Sequence, residues 1–110
     1  MIKITIFKTE RHEFAGFNVE GHADYSEEGQ DIICAAVSVL VMNTINAIDK
    51  YTSDVTSLVS DDEAGVIEFH LTDKPSHDAE LLLNTMLLGL EEIEDDSSYE
   101  PYIDIIFKEV

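Results

Sequence analysis

The chain has 110 residues, 45% of them hydrophobic, which is enough for one core and for a single domain spanning residues 1–110. Twenty-four acidic residues against six basic ones give a formal charge of −18, which repels phosphate backbones and anionic lipids and argues against nucleic-acid binding. The alternating opening residues do not resemble a secretory signal, and we expect no stretch of the chain to approach the length and apolarity of a membrane span. A single cysteine allows no internal disulfide, so we expect a cytoplasmic protein.

The first half of the chain predicts two strands, a loop and a long helix. Residues 2–8 alternate with the period of a half-buried strand, and residues 13–20 follow as its hairpin partner. Within that partner, Gly16 marks either a bulge or a close backbone approach. Polar residues 24–30 predict a loop. The segment from Asp31, its predicted N-cap, to about residue 50 lacks Gly and Pro and is apolar on nearly every side. This pattern predicts a largely buried helix, covered either by the rest of the chain alone or partly by a second subunit.

The second half predicts a hairpin, a helix and a last strand. Residues 55–60 and 66–72 favour strands, and the turn between them, 61–65, places a glycine where positive φ is expected. Ser76 is the predicted cap of a helix over residues 77–95, and residues 102–107 alternate as a strand. The apolar stripe of this helix is predicted to contain Leu81, Leu82, Met86, Leu87, Leu90 and Ile93.

The predicted fold class is therefore α+β, in the order ββαββαβ. We expect the two helices to pack on one face of a largely antiparallel sheet. The pattern does not determine the order of the strands.

Cys34 is a candidate nucleophile. We predict it on the first turn of the first long helix, where free amides and the helix dipole lower the pKa of a thiol. His22 directly precedes the loop that leads to Cys34, and a strand, loop and helix commonly bring the helix start back to the strand end. His22 is therefore the candidate base. The alternative is a buried cysteine that acts only as a small hydrophobic residue.

Two residues near Cys34 on the same helix have both a structural and a functional interpretation. Asp31 is either only the N-cap or a group that orients His22 or a substrate amide. Ser38, one turn beyond Cys34, is either a core serine bonded to its own helix or a hydrogen-bonding group near the thiol.

Backbone groups complete the predicted site. Amides from Asp31 to Ala35 are candidates for stabilising an oxyanion, and Gly21 and Gly29 give loop 23–30 the freedom to close and open around a peptide. The other histidines are predicted in a hairpin turn, within a strand and at the exposed start of the second helix: His12, His70 and His77. Histidines this scattered lack the ligand spacing of a zinc site, so we expect neither a metal nor a cofactor.

The residues around this pair resemble a known family. Gly21-His22-Ala23, followed by the segment GQDIICAAVS from Gly29 to Ser38, is similar to the motif of the ribosomal-processing cysteine protease family known as Prp. The resemblance implies that Cys34 and His22 form a catalytic dyad.

The resemblance also implies a substrate and an assembly. It implies removal of a short N-terminal extension from a large-subunit ribosomal protein that lies near the peptidyl transferase centre, in Gram-positive and related bacteria. Cleavage after an aromatic residue of an apolar peptide, a mobile loop between the histidine and the cysteine, and homodimers are implied in the same way.

Two other functions fit the residues. A non-catalytic module would bind a basic ribosomal or assembly protein through its acidic surface, and it would not need the thiol. A redox-sensing or acyl-transferring protein would react at Cys34 without cleaving a peptide. Alkylation of Cys34 distinguishes these functions from proteolysis.

Overall fold

A computed structural model describes the backbone of residues 1–21 and 28–110 and the side chains of residues 1–21 and 32–110. Its elements follow the predicted order ββαββαβ. They are β1 (Ile2–Lys8), β2 (Phe14–Glu20), α1 (Glu28–Tyr51), β3 (Thr56–Asp61), β4 (Val66–Leu71), α2 (His77–Asp95), a short 3₁₀ turn (Glu100–Tyr102) and β5 (Ile103–Glu109).

The five strands form one sheet in the order β3-β4-β2-β1-β5. Three of the neighbouring pairs are antiparallel, and β1 pairs with β5 in parallel. The largely antiparallel α+β prediction is therefore confirmed. The structure supplies the strand order, which depends on pairings between distant parts of the chain.

Gly16 has both of the roles that its position predicted. Phe7 pairs with Gly16 and Lys8 with Phe14, so Ala15 is the extra residue of a bulge in β2. A Cβ atom at Gly16 would overlap the Phe69 carbonyl oxygen of the neighbouring strand.

The core lies between the sheet and the two helices. Alternate side chains of β1 and β2 point into it, and α1 and α2 cover it with residues spaced one turn apart. Its fully buried side chains include Ile4, Ile6, Phe14, Phe17, Ile33, Val41, Ile48, Phe69, Leu83, Met86 and Leu90.

The prediction for α1 needs three corrections. The helix begins at Glu28, not at residue 31. Within one chain it is buried on one side only, since Ile32 is 54% exposed and Val39 is 68% exposed, so the chain by itself does not bury the helix on all sides. Residues 32–51 are also long and apolar enough, by composition, to span a membrane, so the expectation of no such stretch is wrong. A core helix passes the same test, and α1 packs its inward side chains in the core.

The ends of α2 agree with the prediction, but its buried stripe differs: Leu82 and Ile93 are only half-buried, and Ala79 and Leu83 are buried although they were not predicted. The Ser76 side chain accepts a hydrogen bond from the Ala79 amide at 3.1 Å, which confirms it as the N-cap. Leu81 is 56% exposed and does not belong to the buried stripe. The fully packed positions are Ala79, Leu83, Met86, Leu87 and Leu90.

Candidate active site

Cys34 lies further along α1 than predicted. Because α1 begins at Glu28, Cys34 is on its second turn. The helix dipole acts mainly within the first turn. It therefore stabilises a thiolate at Cys34 less than it would at the first-turn position that the sequence predicted. The side chain is half-buried and packs against the edge of the core. It is therefore not the inert, fully buried cysteine of the alternative interpretation.

A cavity of about 170 Å³ adjoins Cys34. Its apolar wall comes from β1, β2, β4 and α1, through Ile2, Val19, Ile67 and Val37. Residues of the β3–β4 turn line it as well. A half-buried thiol beside a partly apolar recess is the arrangement that a peptide-binding cysteine nucleophile requires.

The β3–β4 turn is joined to the end of β2. The Gly21 amide donates a hydrogen bond to the Gly65 carbonyl oxygen at 3.0 Å. Gly65 has φ of 65°, so the positive φ predicted for this turn is confirmed. The hydrogen bond places the turn next to the residue that immediately precedes His22.

Gly21 itself adopts a conformation that favours glycine. Its φ is 139°, and a Cβ atom there would lie 2.6 Å from the Met1 carbonyl oxygen and 2.8 Å from the Ile2 Cα atom. Gly21 therefore has a packing role at the cavity wall in addition to the freedom predicted for the loop.

The structure also gives the positions of Ser38 and Ala35. Ser38 is exposed and lines the cavity with Cys34, and among the described residues its side chain has no hydrogen bond. The interpretation as a core serine bonded to its own helix is therefore wrong. Ala35 is exposed and lies outside the cavity lining.

Several predicted site residues have side chains outside the part of the chain that the structure describes: His22, the residues of loop 23–30, and Asp31. His22 and most of loop 23–30 fall there entirely, so the pairing of His22 with Cys34 stays a prediction. Asp31 and Gly29 lie within α1 by its bounds. Asp31 is thus not the N-cap, and Gly29 belongs to the helix and not to the preceding loop.

The remaining histidines lie elsewhere, as predicted. His12 is in the β1–β2 turn, and His77 begins α2 with an exposed side chain. His70 stacks on Phe7 with the ring centroids 5.6 Å apart, within the sheet. Among the residues that the structure describes, no group of histidine, cysteine and carboxylate side chains is placed to hold a metal ion.

Local sequence patterns do not indicate that the β3–β4 turn lies beside Cys34. Asp61, Asp62 and Gly65 line the cavity with Cys34 although they are far from it in the chain. The turn itself was predicted. Which residues lie next to it in space depends on the pairing of β4 with β2, and local sequence patterns do not encode that pairing.

Comparisons with known proteins agree on one family. Residues 1–104 match the family model described as Cysteine protease Prp. The ribosomal processing cysteine protease Prp of Staphylococcus aureus is 33% identical over 96 residues, covering 87% of this chain and 91% of that protein.

Solved structures show the same fold. One is the crystal structure of an essential ribosomal processing protease Prp from S. aureus in complex with a substrate peptide. Its TM-score with this chain is 0.91 and its sequence is 31% identical, and the match covers 98% of this chain and 100% of that one. A second S. aureus Prp structure holds a covalently linked product peptide, with a TM-score of 0.87 and 32% identity, over the same shares of the two chains.

Proposed function

The chain belongs to the Prp family of cysteine proteases, and we propose that it removes the short N-terminal extension of a large-subunit ribosomal protein during ribosome maturation. The observation that carries the proposal is the half-buried thiol of Cys34 at a cavity, within the motif that resembles the family. The covalently linked product in the S. aureus relative supports a covalent mechanism.

In the proposed mechanism, His22 accepts the Cys34 proton and the thiolate attacks the scissile carbonyl carbon. The C–N bond then breaks, the protonated His22 gives its proton to the leaving amine, and a thioester remains on Cys34. Water, deprotonated by His22, attacks the thioester and releases the carboxylate product, and the proton returns to the thiol. No cofactor takes part.

The position of α1 changes the proposed oxyanion donors. Amides from Ile32 to Ala35 lie beyond the first turn of the helix and bond to carbonyl groups within it. The free amides of an α-helix are those of its first turn, so we place the donors ahead of Ile32. The thiolate then depends on proton transfer to His22 more than on the helix dipole.

We further propose that the protein acts in the cytoplasm as a homodimer. The residues Ile32, Ala35 and Val39 are all exposed and recur on one side of α1. A second copy packed on this stripe would remove the apolar side chains from water, and the resemblance to the family implies the same assembly.

Mass spectrometry tests the protease function directly. A peptide spanning the N-terminal extension and the mature start of the ribosomal protein is incubated with the wild type and with Cys34→Ala. We expect cleavage of one bond by the wild type only, and the same circular dichroism spectrum for both proteins. Cleavage by Cys34→Ala would contradict the mechanism, whereas binding by both without cleavage would indicate the non-catalytic interaction module.

A further inference from the structure

The two edges of the sheet differ in how their backbone groups are used. Strand β5 forms one edge, and part of its outward-facing backbone is occupied by the chain itself. The Ile103 amide donates a hydrogen bond to the Glu100 carbonyl oxygen, and the Ile105 amide donates to Glu94 Oε2 of α2 at 2.7 Å. The β5 edge is thus partly closed to another strand.

Strand β3 forms the other edge, and its outward-facing backbone is open. The Thr72 amide donates to the Val55 carbonyl oxygen at 3.0 Å, so every second residue of the antiparallel pair from Val55 onward turns its N–H and C=O groups toward β4. The residues between them turn these groups outward: Thr56, Leu58 and Ser60. Among the residues that the structure describes, none of these outward groups has a hydrogen-bond partner.

Strand β3 also lacks the features that usually prevent an edge strand from pairing. Its sequence, TSLVSD, contains no proline or lysine, and its register with β4 runs without a bulge. Two apolar side chains of the strand are exposed, Leu58 at 43% and Val59 at 57%. An open edge of this kind is suited to accept another extended chain.

The end of β3 connects this edge to the cavity beside Cys34. Asp61 is the last residue of the strand, and it lines the cavity together with Cys34. A chain paired with β3 would lie about 4.8 Å from it, the ordinary spacing of neighbouring strands. Such a chain arrives at the cavity where β3 ends, so the open edge is continuous with the place where a peptide bond would react.

We propose that the substrate peptide binds by adding a strand to the open edge of β3 and continues past Asp61 into the cavity. This inference rests on the proposed protease function, because the reaction at Cys34 brings a peptide to this end of the sheet. The three outward-facing residues of β3 alternate along the strand, so pairing with all of them takes about five residues of the peptide. This backbone pairing supplies affinity, while the cavity receives the residues at the scissile bond.

Peptides with a single N-methylated amide test the pairing. The peptide spans the N-terminal extension and the mature start of the ribosomal protein, and fluorescence anisotropy measures its dissociation constant with Cys34→Ala, which prevents turnover. Methylation of an amide that faces β3 removes one backbone hydrogen bond, so we expect about two- to tenfold weaker binding. Methylation of the amides between them should have little effect. Losses without this two-residue period would overturn strand addition.

Amide hydrogen exchange of the protein locates the peptide. Saturation of Cys34→Ala with the unmodified peptide should slow exchange at the outward-facing amides of Leu58 and Ser60. The Val59 amide, which faces β4, is the internal control and should change little. Unchanged exchange at Leu58 and Ser60 would overturn the proposal. Slowing that follows protein concentration without peptide would overturn it as well, because a second copy would then occupy the edge.

Proline variants test the two edges against each other. Leu58→Pro removes an outward-facing amide of β3 without removing a bond to β4, and we expect binding to weaken about tenfold. Phe107→Pro is the matched control on β5. The Val110 amide donates to the Lys8 carbonyl oxygen, so the Phe107 amide faces away from β1, and this variant should bind as Cys34→Ala does. Circular dichroism verifies the fold, and equal binding by both variants would contradict the proposal.

Cleavage by the wild type separates this proposal from the protease function. If the wild type cleaves the peptide but methylation shows no period, strand addition is wrong and the protease function stands. If binding shows the period and β3 is protected, but the wild type cleaves nothing, β3 binds the peptide and the protease function is wrong. Neither binding nor cleavage of the peptide would overturn both.

Discussion

Gly21 connects three parts of the chain beside the cavity. Its amide is bonded to Gly65, its backbone packs against Met1 and Ile2, and its φ is 139°. We predict that Gly21→Ala lowers the free energy of unfolding by about 2 kcal/mol or more, because the new Cβ is strained and overlaps backbone atoms. Urea denaturation measures this change.

Gly89 provides the matched control. A Cβ atom at Gly89 would lie 3.1 Å from Leu40 Cδ1, the end of a side chain that can move, and Gly89 lies within α2. Gly89→Ala should therefore change the free energy of unfolding by less than about 1 kcal/mol, because the higher helix propensity of alanine offsets the crowding against Leu40. An equal loss in both variants would contradict the backbone argument for Gly21.

At the scale of single residues, the local pattern predicted that Cys34 and Ser38 share one helix face, but it did not predict what surrounds them. Cys34 and Ser38 line the cavity, because both positions lie on one face of a helix whose existence follows from the local pattern. The first-turn position of Cys34 was wrong because it rested on Asp31 as a cap. Asp62 was missed because its contact with the site arises from the pairing of β4 with β2.

The start of α2 is stabilised by a local cap. We predict that Ser76→Ala destabilises the protein by about 1 kcal/mol, since it removes the oxygen that accepts from the Ala79 amide. Thermal unfolding at fixed pH measures the loss. Ser76→Thr keeps a hydroxyl that can accept from the Ala79 amide and donate to Asp54, and it should restore most of the stability, whereas no difference between the Ala and Thr variants would argue against the cap.

A second contact at this helix start depends on pH. Burial raises the pKa of Asp54, but hydrogen bonds to its carboxylate from Ser76 and Thr52 more than offset this, so the pKa lies below its ordinary value of 3.8. The Ser76 amide donates to Asp54 Oδ2 at 2.8 Å. Because the pKa of Asp54 is lower in the folded protein than in the unfolded chain, its carboxylate contributes stability above pH 3.8. That contribution is lost as the pH falls through the pKa of Asp54 in the folded protein.

Asp54→Asn tests this dependence. The variant should be less stable than the wild type at neutral pH by at most about 1 kcal/mol, because the site is partly exposed to solvent. Chemical denaturation from neutral pH into the acid range should show the two proteins converging below pH 3.8. Asp49→Asn, which removes an exposed carboxylate on α1, is the control. A wild-type advantage that persists at the lowest pH would contradict the assignment.

Elements with local boundary signals were predicted best. Helix α2 spans His77–Asp95, as predicted, because Pro75 and Ser76 mark its start in the sequence. Helix α1 begins three residues earlier than predicted, since Asp31 resembled a cap but continues the helix. The order of the strands, and with it the parallel pairing of β1 and β5, depends on contacts between the ends of the chain.

At the scale of the whole molecule, apolar side chains remain exposed on α1. The apolar all-round pattern predicted burial, but the rest of the chain covers only the inward side, and Val39 remains 68% exposed. In the proposed homodimer, a second copy covers this stripe. The charge of −18 opposes association, so the apolar contact has to outweigh repulsion between two acidic chains.

We predict that Val39→Asp raises the dimer dissociation constant more than about tenfold, because it places an unpaired charge in an apolar interface. The folded monomer should tolerate the change, since the side chain faces solvent within one chain. Analytical ultracentrifugation across a concentration series measures the constant. Val59→Asp, the same substitution at an exposed position of β3, controls for the added charge and should leave the constant near that of the wild type. A wild type that is monomeric at all concentrations, or a Val39→Asp protein that dimerises as tightly as the wild type, would contradict an interface on this side of α1.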